Sequence, residues 1–221
     1  MIRACIFDLD GTLLYTLEAI AKAANTALSE LGYPPQPVED YRYYCGDGAD
    51  TLVRRVLDLF DDRDPEHFRL MCARNRELLG SDPDYRVVSY PHLPETLARL
   101  KERGVLLAVC SNKPHSAAVD TIRHYFGEDL FDCVQGQADG MPVKPDPAMA
   151  EQVMKTLSVR PEECLYFGDT ATDMRTARNA RITAVGVLWG YRDRTELVDG
   201  GAQILLEDPS EIEAVCGRIG T

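Results

Sequence analysis

The chain has 221 residues, 36 acidic against 24 basic side chains, and a net charge of −12 with histidine neutral. An acid surplus of that size argues against nucleic acid and anionic membranes as partners, and no apolar stretch is long enough to span a bilayer. The length suits one α/β domain with a smaller insertion.

A first strand is predicted over residues 2–8, its apolar run ending in Phe7-Asp8-Leu9-Asp10-Gly11-Thr12. It starts almost at Met1 with no leader ahead of it, so a cytoplasmic location is expected. In an extended chain Asp8 and Asp10 project to one side with only Leu9 between them. Two like charges so close call for a bound divalent cation, which leaves one carboxylate free as a nucleophile or proton carrier. In the plainer reading, Asp-Gly-Thr is an ordinary turn. Three helical patterns follow, at 17–31, 49–60 and 65–79, with no strand among them. Gly32-Tyr33-Pro34-Pro35 and Gly80-Ser81-Asp82-Pro83 punctuate them. A helical block placed between the first strand and the next βα unit reads as an inserted cap over 16–83, leaving 1–15 and 84–221 as the core.

From about residue 87 the alternation resumes: helix 93–103, strand 105–110, helix 114–126, a short strand at 131–134 and helix 147–157. Strand 164–167, helix 171–180, strand 183–187, a weak strand at 203–206 and a closing helix from Ser210 complete it. The predicted class is α/β, a Rossmann-like, doubly wound, mostly parallel sheet with an inserted α-helical cap. Strand 105–110 runs into Ser111-Asn112-Lys113-Pro114, whose hydroxyl and amide suit phosphate oxygens. Val143-Lys144-Pro145-Asp146-Pro147 holds one lysine in a proline-stiffened loop, a point charge for phosphate. After Phe167-Gly168, Asp169 and Asp173 are four apart, the spacing of one side of a helical turn. Each segment also reads as a helix cap or a solvated loop. All four follow strand patterns, however, and a parallel sheet gathers the carboxyl ends of its strands at one edge. The seven cysteines include no Cys-x-x-Cys pair and are expected to be reduced thiols that pack as small hydrophobes.

With those segments in that order, the chain resembles the haloacid dehalogenase (HAD) superfamily of phosphohydrolases. Its four motifs match Asp8-Leu9-Asp10-Gly11-Thr12, Ser111, Lys144, and Gly168-Asp169 with Asp173. Within the superfamily it looks most like the phosphoglycolate phosphatase group, on Cys45-Gly46-Asp47-Gly48-Ala49-Asp50-Thr51-Leu52 and Val187-Leu188-Trp189-Gly190-Tyr191-Arg192. The resemblance implies a Mg²⁺-dependent phosphatase of a small phosphorylated metabolite, 2-phosphoglycolate first, acting through an aspartyl phosphate on Asp8. It implies that Asp10 protonates the leaving alcohol and then activates water. Asp8, the Asp10 main-chain carbonyl and Asp169 would ligate the ion, and Asp173 would orient its waters or Lys144. Thr12, Ser111, Asn112 and Lys144 would hold the phosphate. Because those motifs see only the phosphoryl group, the leaving group is expected to be read by the cap, with Gly46, Asp47, Gly48 and Arg55 as candidates. One departure stands out: Tyr15 and Thr16 occupy positions where the group carries an acid and then Ser or Thr, and Thr16 is expected to cap the first cap helix.

A pyrophosphatase, a sugar-phosphate phosphatase or a phosphomutase on the same scaffold would share every core residue. A dehalogenase lacks the second acid of the first motif, so Asp10 argues against it. A non-catalytic phospho-aspartate module would explain neither Asp10 nor the cap. Nothing in the sequence bears on oligomeric state.

Overall fold

The structure, a computed structural model, describes residues 1–218. Its first elements are β1 (Ala4–Phe7), β2 (Leu14–Tyr15), α1 (Leu17–Glu30), α2 (Tyr41–Tyr44), α3 (Ala49–Asp58), α4 (Pro65–Ser81) and β3 (Val88–Ser89). There follow α5 (Leu93–Glu102), β4 (Leu106–Pro114), α6 (His115–Phe126), β5 (Cys133–Gln137), α7 (Ala148–Leu157) and β6 (Cys164–Gly168). The last are α8 (Ala171–Asn179), β7 (Thr183–Val187), α9 (Arg194–Gly200), β8 (Ile204–Leu206) and α10 (Ile212–Arg218). No helix among the described residues is long and apolar enough to cross a membrane.

Six strands form one parallel sheet in the order β5-β4-β1-β6-β7-β8, the doubly wound arrangement. The chain first builds outward from β1 through β4 to β5, then returns to the other side of β1 with β6. The switch point therefore lies between β1 and β6, the place where such sheets bind ligands. Strands covered on both faces read as unbroken apolar runs, and β1 and β6 are buried along their whole length. On one face Ala4, Ile6, Ala108 and Tyr166 pack with Met149, Val153, Met174 and Ala177 of α7 and α8. Phe7, alternating to the other side, stacks on Phe167 at 4.7 Å and meets Phe131 edge-on at 6.5 Å.

The chain divides into two compact units, one of Met1–Leu14 with the chain from Ser89 onward, the other Tyr15–Val88. The second begins one residue earlier and ends five later than the insertion expected at 16–83. Its limits fall at β2 and β3, strands of two residues each, which are too short to show a hydrophobic period. Inside this unit α4 lies against α1 and α3, and the Arg74 guanidinium grips the Glu30 carboxylate through bonds of 2.8 to 3.0 Å. Thr16 stands at the N-cap of α1, but its side chain makes no capping bond.

Two features of the larger unit differ from the expected elements. β4 does not stop at residue 110 but continues through Ser111 to Pro114, with a register shift against β5 between Cys110 and Pro114. Gly136 makes room for that irregular end, since a Cβ there would approach the Lys113 carbonyl and the His115 Cα to 2.7 Å. α9 was not expected, although Asp193 and Glu196 carry the spacing of an N-terminal cap. The Glu196 N–H donates to Asp193 Oδ1 at 2.9 Å.

Candidate active site

The register of the sheet assembles the acids. Phe7 pairs with Phe167, and the Asp8 N–H donates to the Phe167 carbonyl at 2.9 Å, so β1 hands Asp8 to the sheet edge beside Gly168. Asp169 follows at once on β6. Carboxylate oxygens of Asp8, Asp169 and Asp173 all lie within 4.8 Å of one another, and all three residues are buried. Glycines keep that volume open: a Cβ on Gly168 would collide with Asp173, and one on Gly11 or Gly190 with Asp169. Gly11 also has φ of +89°, a conformation that side chains with a Cβ resist.

Each acid is held by identifiable donors. Asp169 Oδ1 accepts from the Thr12 hydroxyl at 3.0 Å, and its Oδ2 from the Tyr191 N–H at 2.8 Å. Asp173 sits in a capping box at the start of α8, its Oδ2 accepting from the Thr170 N–H at 3.1 Å and the Thr170 hydroxyl at 2.6 Å. Its Oδ1 meets Lys144 Nζ at 2.6 Å, and the same ammonium lies 2.8 Å from Asp8 Oδ1. Asp169 and Asp173 therefore converge differently from the expected helical i,i+4 pair. α8 starts only at Ala171, and Asp169 belongs to the strand-to-helix turn ahead of it.

Lys144 is itself buried, and its position is imposed by backbone. Asn112 Oδ1 accepts from the Lys144 N–H at 2.8 Å, while Asn112 Nδ2 donates to the Lys144 carbonyl at 3.5 Å. Asn112, expected to hold phosphate, thus clamps the lysine loop with its side-chain amide. Thr12, given the same task, turns its hydroxyl to Asp169. Ser111 is buried at the same edge, its Oγ accepting from the Lys113 N–H at 3.3 Å. Asp10 is half-buried and pairs with Lys113 Nζ at 3.2 and 3.4 Å.

Sequence reasoning gave no part in the site to four contributors. Lys113 was legible in principle, because it lies two residues after Ser111 in an extended strand and so shares its face. Gly190 and the Tyr191 amide carry no side-chain signal. Trp189 donates its indole N–H to the Thr12 carbonyl at 3.0 Å, anchoring the turn that carries the first motif.

The charges do not balance. When all are ionised, three buried carboxylates face one ammonium, leaving a surplus of two negative charges (three minus one). Like charges about 5 Å apart repel by roughly 3 kcal/mol per pair at the effective dielectric of a protein site. Burial, reinforced by Asp173 and Asp10 against the opposing pull of Lys144, pushes the Asp8 carboxyl up to about 7. Burial together with Asp173 and Asp8 pushes Asp169 up to about 8. Burial disfavours the Lys144 ammonium, but Asp173 and Asp8 outweigh it and hold the lysine above its ordinary value. An all-oxygen donor set with two surplus charges fits a hard divalent cation such as Mg²⁺, which takes few protein ligands and keeps several waters.

In the other unit, Gly46 and Gly48 take positive φ of 108° and 94° in the turn between α2 and α3. Arg55, on α3, reaches back to that turn. Its guanidinium pairs with Asp47 and donates to the Tyr44 carbonyl at 3.0 Å and the Tyr43 carbonyl at 3.5 Å. Arg55, expected to be a cation for substrate, has an anionic partner of its own and ties down the loop.

A doubly wound sheet with an acid cluster, a buried lysine and a second half-buried acid at its switch point is the architecture of a phosphoryl-transfer enzyme. A family model described as haloacid dehalogenase-like hydrolase matches residues 5–187. Among curated proteins, the phosphoglycolate phosphatase of Mannheimia succiniciproducens is 31% identical over 218 residues, covering 93% of this chain and 94% of its own. That of Rhodobacter capsulatus is 36% identical over 195 residues, 87% of each chain. A solved structure of a phosphoglycolate phosphatase candidate from Lactobacillus delbrueckii subsp. bulgaricus superposes with a TM-score of 0.89 at 27% identity, over 97% of this chain and 98% of that one. The chain belongs to the haloacid dehalogenase-like hydrolase family and is an enzyme of the phosphatase kind.

Proposed function

We propose that the protein is a Mg²⁺-dependent phosphatase of a small phosphate monoester, with 2-phosphoglycolate as the preferred substrate, working through an aspartyl phosphate on Asp8. The observation that carries this reading is the buried cluster of Asp8, Asp169 and Asp173 around a single Lys144, a site two positive charges short. The substrate comes from the names of the relatives.

Asp8 and Asp169, with the Asp10 carbonyl, would hold the ion, which supplies positive charge to the phosphoryl oxygens and to the nucleophile. Every other task falls to side chains. The Asp8 carboxylate attacks phosphorus in line with the leaving alkoxide, and the O–P bond to the alcohol breaks. Asp10 gives its proton to that oxygen. In the second half, Asp10 takes a proton from a water that attacks the phosphorus, releasing inorganic phosphate and restoring Asp8. Lys144 and the Ser111 hydroxyl face the transferring oxygens, and Lys113, paired with Asp10, holds that carboxyl group in position. Asp173 keeps Lys144 in place. A nucleophile must be ionised, and burial opposes ionisation of Asp8 more strongly than Lys144 favours it, so a bound cation would complete it.

A screen of phosphorylated metabolites with Mg²⁺ tests the proposal. Release of phosphate from 2-phosphoglycolate at the highest kcat/KM, and loss of turnover in EDTA, are expected. Full activity in chelator overturns the metal assignment, and preference for pyrophosphate or a hexose phosphate overturns the substrate.

A further inference from the structure

Away from the acid cluster, two thiols meet inside the fold. Cys5 Sγ, in the middle of β1, lies 3.4 Å from Cys216 Sγ on α10, and both residues are buried. They are 211 positions apart in the chain, so no local turn forces the contact. A disulfide needs its sulfurs at about 2.05 Å, so the pair has about 1.4 Å to close.

We propose that Cys5 and Cys216 are a reversible oxidation site, joined as a disulfide by a hydroperoxide, which ties the last helix to the central strand of the sheet. The two sulfurs have different tasks. Cys216 retains 8% exposure whereas Cys5 has none, so a peroxide meets Cys216 first. In the same direction, the contact with Cys5 lowers the Cys216 thiol below its ordinary value against the effect of burial. Cys216 is therefore the sulfur that attacks the peroxide. Its thiolate takes one oxygen from hydrogen peroxide and, with a proton, gives a sulfenic acid and water. The Cys5 thiol then attacks that sulfur, forming the S–S bond and expelling the oxygen as a second water. Overall, two thiols are oxidised and one hydrogen peroxide is reduced to two waters. Thiol reductants reverse the bond.

The consequence is mechanical. Cys5 stands on β1 three residues before Asp8, which follows directly on the end of that strand, and the bond would close nearly the whole chain into one loop, constraining the unfolded state far more than the folded one.

The test uses the full-length protein, reduced and then exposed to hydrogen peroxide under native conditions. Remaining thiols are alkylated in denaturant, and the unreduced digest is mapped by mass spectrometry. A Cys5–Cys216 linked peptide is expected, with alkylated cysteines falling from seven to five. The melting temperature should rise by about 5 °C or more and return on addition of dithiothreitol. Cys216→Ser and Cys216→Ala, each checked for fold by circular dichroism, should show neither the linked peptide nor the peroxide-dependent rise. The proposal is overturned by peroxide treatment that leaves both thiols alkylatable, by a disulfide to another cysteine, or by a Cys5–Cys216 bond that leaves the melting temperature unchanged.

Discussion

The core site and the 43–55 loop region both bring acids and bases together, yet they balance charge in opposite ways. In the loop, Arg55 pairs with Asp47 through one guanidinium nitrogen and donates from another to the carbonyls of Tyr43 and Tyr44, with both charged side chains part-exposed. At the sheet edge three buried carboxylates share one ammonium. A paired charge needs nothing further, whereas a buried surplus is relieved either by protonation, as the raised Asp8 and Asp169 carboxyls show, or by a ligand that completes it. Charge balance, more than the presence of charged residues, distinguishes the sheet-edge cluster from the 43–55 loop.

Breaking the imbalance at its nucleophile should have the largest effect. Asp8→Asn keeps shape and removes the attacking oxygen, so kcat for any phosphate ester should fall by at least about a thousandfold with the fold intact. Residual turnover within tenfold of the parent would remove Asp8 from the reaction. Lys144→Met comes next. It leaves Asp8 and Asp173 without their shared cation, which should lower kcat by about a hundredfold and cost roughly 3–5 kcal/mol in unfolding by denaturant. Loss of activity with unchanged stability would mean the lysine acts on substrate without holding the acids together.

A third experiment sharpens the comparison through pH. Asp8 and Asp169 have folded-state values raised to about 7 and about 8 from an ordinary 3.8. A carboxyl raised in this way contributes stability that is fully present below its unfolded value and is lost as pH rises through its folded value. The metal-free protein should therefore lose stability between about pH 4 and pH 8. Mg²⁺ needs the ionised ligands, so the rise in melting temperature that it confers should be small near pH 6 and several degrees near pH 8.5. An equal rise at both pH values would mean the ion binds elsewhere. The smallest effect belongs to the balanced pair. Arg55→Ala should lower the melting temperature by a few degrees at most and change KM for 2-phosphoglycolate and p-nitrophenyl phosphate alike. A rise of tenfold or more confined to the carboxylate-bearing substrate would show that Arg55 leaves Asp47 to bind it.

The contrast also explains what could be read in the sequence. Parallel strands buried on both faces announce themselves as apolar runs, and β1, β6 and β7 stood out for that reason; the acids at their ends followed from the topology. Ser111 to Pro114 read as a loop because polar residues and a proline normally end a strand, whereas pairing with β5 across Gly136 keeps them extended. The partners of polar side chains were less accessible. Asn112 and Thr12 are equally suited to a phosphate oxygen and to a neighbouring protein group, and only the folded geometry shows that one meets the Lys144 backbone and the other Asp169. The Tyr191 amide that orients Asp169 has no side-chain signature, and the Arg55–Asp47 pair spans a turn whose shape depends on two glycines of positive φ.

Asp8 as carrier of the phosphoryl group in a cation-dependent reaction can be tested on the protein directly. Asp10→Asn, which slows hydrolysis of the intermediate, can be mixed with an activated phosphate ester, quenched, reduced with borohydride and mapped by mass spectrometry. Borohydride converts an acyl phosphate of aspartate to homoserine. The account predicts homoserine at position 8 alone, in the presence of Mg²⁺ and absent in EDTA. Homoserine at another position, or labelling at Asp8 that is indifferent to the metal, would contradict it.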